Sequence, residues 1–143
     1  MGTAPNSVYF EDLSIGQEAS LSNTVTAGVI AAFADVSGDR NPVHVDADYA
    51  ATTMFKERIA HGMLSAAYIS AVFGMQLPGP GAIYVSQTLN FKAPVKIGDT
   101  VRALARISSL DRDKRRAALD CFVSVGDKVV LEGEALVLVP SRA

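Results

Sequence analysis

The stretch from Gly62 to Gln76 reads Gly-Met-Leu-Ser-Ala-Ala-Tyr-Ile-Ser-Ala-Val-Phe-Gly-Met-Gln, with no charged residue in it. Its apolar residues fall on nearly every side of a 3.6-residue repeat, so a helix formed here has little face to offer to water. At about fifteen residues it is shorter than the ~20 that a bilayer core demands. It therefore predicts a core helix buried on most sides, wrapped by the rest of the chain.

The residues that follow supply the wrapper. Leu77-Pro78-Gly79-Pro80-Gly81 breaks the helix. Ile83, Val85, Leu89 and Phe91 then keep one alternating phase, with Gln87 the polar exception on that face. Pro94 and Gly98-Asp99 separate this run from Val101 to Leu110. The Asp111 to Arg115 turn leads into Arg116 to Val125, and Gly126-Asp127 leads into Val129 to Val139. Four consecutive strands joined by short turns predict an antiparallel sheet, hence an α+β fold with one central helix.

Ahead of the helix, Met1 to Ser7 reads as a loose lead-in, followed by short segments at Val8 to Leu13 and Glu18 to Val25, the second with strand character. Thr26 offers an N-cap to a helix whose Val29, Ile30, Phe33 and Val36 share a face, and Gly38 is placed to end it. The run from Gly38 to His44 is expected to be a loop, because Pro42 disfavours helix at Asn41 and cannot continue one itself. A short helix is expected from Asp46 through Ala51. No repeat or linker divides the 143 residues, which fit one domain spanning 1–143.

Composition narrows the classes of function. Hydrophobic residues make up 49% and charged residues 20%, as in ordinary globular proteins, and the formal net charge of −2 gives no reason to expect a nucleic-acid partner. Arg112, Lys114, Arg115 and Arg116 alternate with Asp111 and Asp113, as at a solvated hairpin tip. The first basic residue is Arg40, which fits neither a secretory signal nor a transit peptide, and no membrane span is expected. A cytoplasmic protein is the expectation. The single Cys121 allows no internal disulfide and no multi-cysteine metal site. It reads as a small buried hydrophobe in a strand.

The chain has only two histidines, His44 and His61. His44 follows Asp39 by five positions across a Pro-stiffened segment. That separation can set a carboxylate and an imidazole on either side of a small molecule, one holding a water as base while the other delivers a proton. Asn41 between them can tie the segment to its own backbone or hold a partner group. The same residue types also make ordinary turns. Ala60-His61-Gly62-Met63-Leu64 enters the apolar helix, and Gly62 falls in its first turn, where N–H groups lack intrahelical partners and the dipole is positive. A carbonyl gaining negative charge would be stabilised there. Gly62 could instead serve tight packing alone. Ser70 lies two turns on, sharing a face with Gly62, Met63 and Ala66 and with Phe73 one turn further. A serine in an apolar helix often bonds back to its own backbone, and a polar contact to a catalytic group is the alternative. The two histidines are too far apart in sequence for a helical metal pair, and no Cys or Glu cluster joins them, so no metal is expected. Gly79-Pro80-Gly81 precedes a strand rather than a helix, unlike a phosphate-binding loop. No Gly-x-Ser-x-Gly elbow supports a serine hydrolase.

Ser37-Gly38-Asp39-Arg40-Asn41-Pro42-Val43-His44 resembles the hydratase motif of the MaoC-like, (R)-specific enoyl-CoA hydratases. Ala60 to Leu64, and Leu89-Asn90-Phe91-Lys92-Ala93-Pro94-Val95 followed by Gly98-Asp99, are similar to later hallmarks of that family. The resemblance runs from about Phe10 to Val139 and is strongest to single-unit bacterial enzymes linked to polyhydroxyalkanoate synthesis. It implies a hotdog fold, with the Gly62 to Gln76 helix inside the sheet. It implies that Asp39 and His44 activate one water for syn addition to a trans-2-enoyl-CoA, giving the (R)-3-hydroxyacyl-CoA without a cofactor. It implies that Ser70 supports the catalytic Asp, that Asn41 is the motif asparagine, and that the Gly62 N–H faces the thioester oxygen. Larger relatives fuse two hotdog units, so a single unit implies a homodimer.

On this reading Met63, Phe73 and Val137 border the acyl chain, and the bulk of Phe73 predicts a preference for short acyl groups. Lys92, with Lys56, Arg58 and Lys96, is a candidate contact for the CoA phosphates. The alternatives are a dehydratase of 3-hydroxyacyl groups on acyl-carrier protein, a hotdog thioesterase, or a non-catalytic acyl-binding subunit.

Overall fold

The computed structural model describes residues 8–142; the expected lead-in, Met1 to Ser7, lies outside them. A short 3-10 turn at Phe10–Asp12 occupies the first segment, and β1 (Glu18–Thr24) the second. Four helices follow: α1 (Ala27–Ser37), α2 (Pro42–Val45), α3 (Ala47–Ala51) and α4 (Gly62–Met75). The remainder is β2 (Ile83–Gln87), β3 (Asn90–Phe91), β4 (Thr100–Asp111), β5 (Arg116–Val125) and β6 (Lys128–Leu138).

The strands form one six-stranded antiparallel sheet in the order β1-β4-β5-β6-β2, with β3 also paired to β6. The middle strands carry strict alternation. Val101, Ala103, Ala105 and Ile107 on β4, and Ala117, Leu119, Cys121 and Val123 on β5, are all buried. Helix α4 lies across this face, against β4 and also β1 and β5. Ala103 and Ala105 keep β4 shallow where the helix rests, and Leu64, Ile69, Val72 and Phe73 face the sheet. Sheet and helix together are a hotdog fold.

Three expectations change. The segment at Pro42 is helical, because proline is excluded from a helix interior but fits its first turn, where no N–H is needed. The restriction ahead of proline falls on Asn41, which stays outside as the N-cap at φ −51, ψ 126. Second, α4 is not enclosed. Gly62, Met63, Ala67, Ser70, Gly74 and Met75 are exposed, because a single sheet covers one side of a helix only. Third, the run from Ile83 to Phe91 is no uninterrupted, half-buried strand. It pairs with β6 at the sheet edge rather than with β4, and it breaks at Thr88, where the Thr88 N–H donates to Glu134 O (2.8 Å). Ile83, Tyr84, Val85 and Phe91 are left exposed.

Candidate active site

The chain enters the site through a relay of side-chain caps. Helix α1, capped by Thr26, ends at Gly38 in the left-handed region (φ 79), as its sequence position predicted. From there each polar side chain accepts from the backbone N–H two residues ahead. Asp39 N–H donates to Ser37 Oγ, Asn41 N–H to Asp39 Oδ1 and Val43 N–H to Asn41 Oδ1, each at 3.1 Å. This is how Asp, Asn and Ser stabilise tight turns. It leaves Asp39 Oδ2 uncommitted, and it assigns Asn41 to its own backbone, as the cap of the helix that carries His44.

His44 sits in α2, 9% exposed, with Nδ1 2.7 Å from the Ile59 carbonyl oxygen. A carbonyl only accepts, so Nδ1 carries the proton and Nε2 presents a bare lone pair. His61, the residue before α4, is 3% exposed, and its Nε2 donates to the Asp39 carbonyl oxygen at 2.8 Å. The two imidazoles stack with centroids 3.9 Å apart and planes 27° from parallel, and the Phe33 ring lies 4.9 Å from His61. Sequence separation concealed this contact. One donor atom each from Asp39, His44 and His61 lies within 4.8 Å of the others. Stacked rings, however, point their in-plane lone pairs side by side rather than at a common centre, and one nitrogen of each ring already donates to a carbonyl. The trio therefore fits a shared metal ion poorly.

Gly62 follows His61 directly. Among the described residues neither the Gly62 nor the Met63 N–H has an acceptor, so both remain as donors at the positive end of α4. A Cβ on Gly62 would come 2.7 Å from the Phe91 ring, so the glycine admits a close approach that any other residue would obstruct. A cavity of about 570 Å³ opens here, lined by His44, His61, Gly62, Met63, Phe91 and Lys92 among others. Lys92 Nζ is 3.3 Å from Glu132, and Lys96 Nζ is 3.6 Å from Glu57.

A second cavity of equal volume, about 570 Å³, is lined by Phe33, Met63, Ala67, Ser70, Tyr84 and Leu89 among others. Met63 lines both cavities. Ser70 faces the second, exposed, with no hydrogen bond to Asp39 among the described residues. Phe73 and Val137 line neither cavity. Phe73 is 3% exposed and meets the Tyr84 ring edge-to-face at 5.1 Å, and Val137, fully buried, is the cross-strand partner of Tyr84. Tyr84, not Phe73, lines the cavity beside Ser70. Its phenol donates to Gln87 Oε1, and burial pushes its pKa up to about 12. Cys121 is fully buried, and burial pushes its thiol up to about 12, so it packs as a hydrophobe.

A sheet wrapped on one helix defines a hotdog protein, and a carboxylate within 4.8 Å of two histidines, one of them the residue before that helix, marks its candidate site. Residues 13–130 match the MaoC like domain. The chain is 57% identical over 134 residues to an (R)-specific enoyl-CoA hydratase of Rhodospirillum rubrum, covering 94% of this chain and 93% of that one. The unliganded R-hydratase of Pseudomonas aeruginosa superposes with a TM-score of 0.91 at 45% identity, covering 95% of this chain and 88% of its own. An (R)-hydratase of Aeromonas caviae involved in polyhydroxyalkanoate biosynthesis gives 0.88 at 44%, covering 91% and 99%. The chain belongs to the MaoC-like domain family.

Proposed function

We propose that this chain is an (R)-specific hydratase of trans-2-enoyl-CoA thioesters, working as a homodimer in the cytoplasm. The observation that carries this reading is the tautomer of His44, fixed by its Nδ1–H on the Ile59 carbonyl, in a ring that lies within 4.8 Å of the Asp39 carboxylate by one nitrogen and shares a cavity with Gly62. Water held between them donates one hydrogen to His44 Nε2 and the other to Asp39. As its oxygen attacks C3, Asp39 takes the proton and returns it to C2, so that one water adds to one face of the double bond. Negative charge gathering on the thioester oxygen is met by the Gly62 N–H and the α4 dipole. No hydride or electron moves, so the step needs no cofactor. Phe91 and Met63 flank the thioester, while Ser70, which faces the neighbouring cavity, is left without a role toward Asp39. The acyl chain runs toward Tyr84, backed by Phe73 and Val137, which favours short groups. Lys92 is the candidate for a CoA phosphate.

Similarity to the Rhodospirillum and Aeromonas enzymes supports the substrate class, the (R) stereochemistry and a link to polyhydroxyalkanoate supply. A buried, unpaired Cys121 suits a reducing compartment, and no helix among the described residues is long and apolar enough to cross a membrane. The dimer would cover the exposed side of α4 and the exposed β2 edge, where Met63, Met75, Ile83 and Val85 are 41–64% accessible.

Crotonyl-CoA tests the reading. The purified protein should remove the enoyl absorbance and yield (R)-3-hydroxybutyryl-CoA; an (S) product or no turnover would overturn it. A crotonyl group on acyl-carrier protein should be the poorer substrate. The chain is net acidic, which disfavours docking of an acidic carrier.

A further inference from the structure

The water-activating pair does not account for His61. Its ring is almost wholly buried, yet Nδ1 has no hydrogen-bond partner. With Nε2–H given to the Asp39 carbonyl, Nδ1 is left as a stranded acceptor. Buried polar atoms are nearly always satisfied, and an apolar ring would fill the same space without that defect. The imidazole is therefore explained by its one satisfied nitrogen and by what its face touches. Nε2 holds the backbone of Asp39, the ring face lies on His44, and the next residue in the chain supplies the Gly62 N–H. One side chain joins the three components that must share an ångström-scale geometry.

We infer that His61 is a positioning residue for hydration, fixing Asp39 and His44 against the first turn of α4 and acting through them. The inference rests on the hydratase reading. Rates are sensitive to such placement, since an error of about 1 Å in a catalytic constellation costs on the order of 100-fold.

Two variants separate the donor from the ring. His61→Phe keeps the stack and volume but loses the N–H, and His61→Gln keeps an N–H without the ring. With crotonyl-CoA, His61→Phe should lower kcat by roughly 10- to 100-fold while KM moves less than about threefold. His61→Gln should recover part of the lost kcat. In an Asp39→Asn background His61→Phe should cost only about twofold more, because the group it positions is already disabled. A role in folding alone would show instead as a lower melting temperature and multiplicative losses. Should His61→Phe not fold, His61→Met supplies the donorless comparison. A folded donorless variant with wild-type kcat, or a Gln variant no better than it, would overturn the positioning role while the hydratase reading stands. A wild-type protein inactive on crotonyl-CoA would take both down.

Discussion

Asp39 and His44 share one short segment but are held by different means. Asp39 is exposed and, among the described residues, keeps one carboxylate oxygen free, whereas His44 is only 9% exposed and locked by the Ile59 carbonyl. His44→Ala therefore removes an oriented acceptor, and kcat should fall by about 10²–10⁴. The double variant with Asp39→Asn should fall little further, because in the proposed mechanism the two hold one water; multiplicative losses in steady-state kinetics would contradict that. On the proposed function, Tyr84 is the residue that limits chain length. Tyr84→Ala should move kcat/KM toward longer enoyl-CoAs more than Phe73→Ala does. The latter should chiefly cost stability, about 3–5 kcal/mol, since its ring fills core behind Tyr84. Turnover of four- to eight-carbon enoyl-CoAs and denaturant melts of both variants check this ordering. Sequence spacing could single out Asp39, His44 and Gly62 as candidates because they lie in short contiguous segments. It concealed the His44–His61 stack, and it placed Phe73 at a lining position that the structure gives to Tyr84. Both depend on which side of α4 meets the sheet, and the uniform apolarity of α4 does not record that.

At the level of elements, caps were the most legible signals. Thr26 and Gly38 each stand where the sequence put them, because capping is local chemistry. Pro42 misled because one residue type both breaks a helix and begins one. The cap at Asn41 carries a consequence for function. Asn41→Ala leaves the Val43 N–H unsatisfied and loosens α2, on which His44 stands. Stability should fall by about 1 kcal/mol, and kcat should fall with it, although Asn41 needs no contact with substrate. A thermal melt paired with crotonyl-CoA kinetics tests both; unchanged values would return Asn41 to an ordinary turn. The strand at Ile83 to Phe91 was misread because alternation marks a half-buried strand only where one face meets the core. At a sheet edge the same apolar residues are exposed.

For the whole molecule, those exposed residues and the uncovered side of α4 make one argument. A single sheet cannot enclose a helix that is apolar nearly all round, and a second copy related by a twofold axis can cover what remains. Sedimentation should therefore show a particle of at least twice the 15.1 kDa chain mass; an active monomer would contradict the dimer. The central claim is that Asp39 takes the proton from the attacking water, and Asp39→Asn tests it most directly. The amide preserves size and can still accept from the Asn41 N–H, so the variant should fold like the wild type. It cannot act as the base, so its kcat for crotonyl-CoA hydration should fall by about 10²–10⁴. A well-folded Asp39→Asn protein hydrating crotonyl-CoA at close to the wild-type kcat would contradict the account.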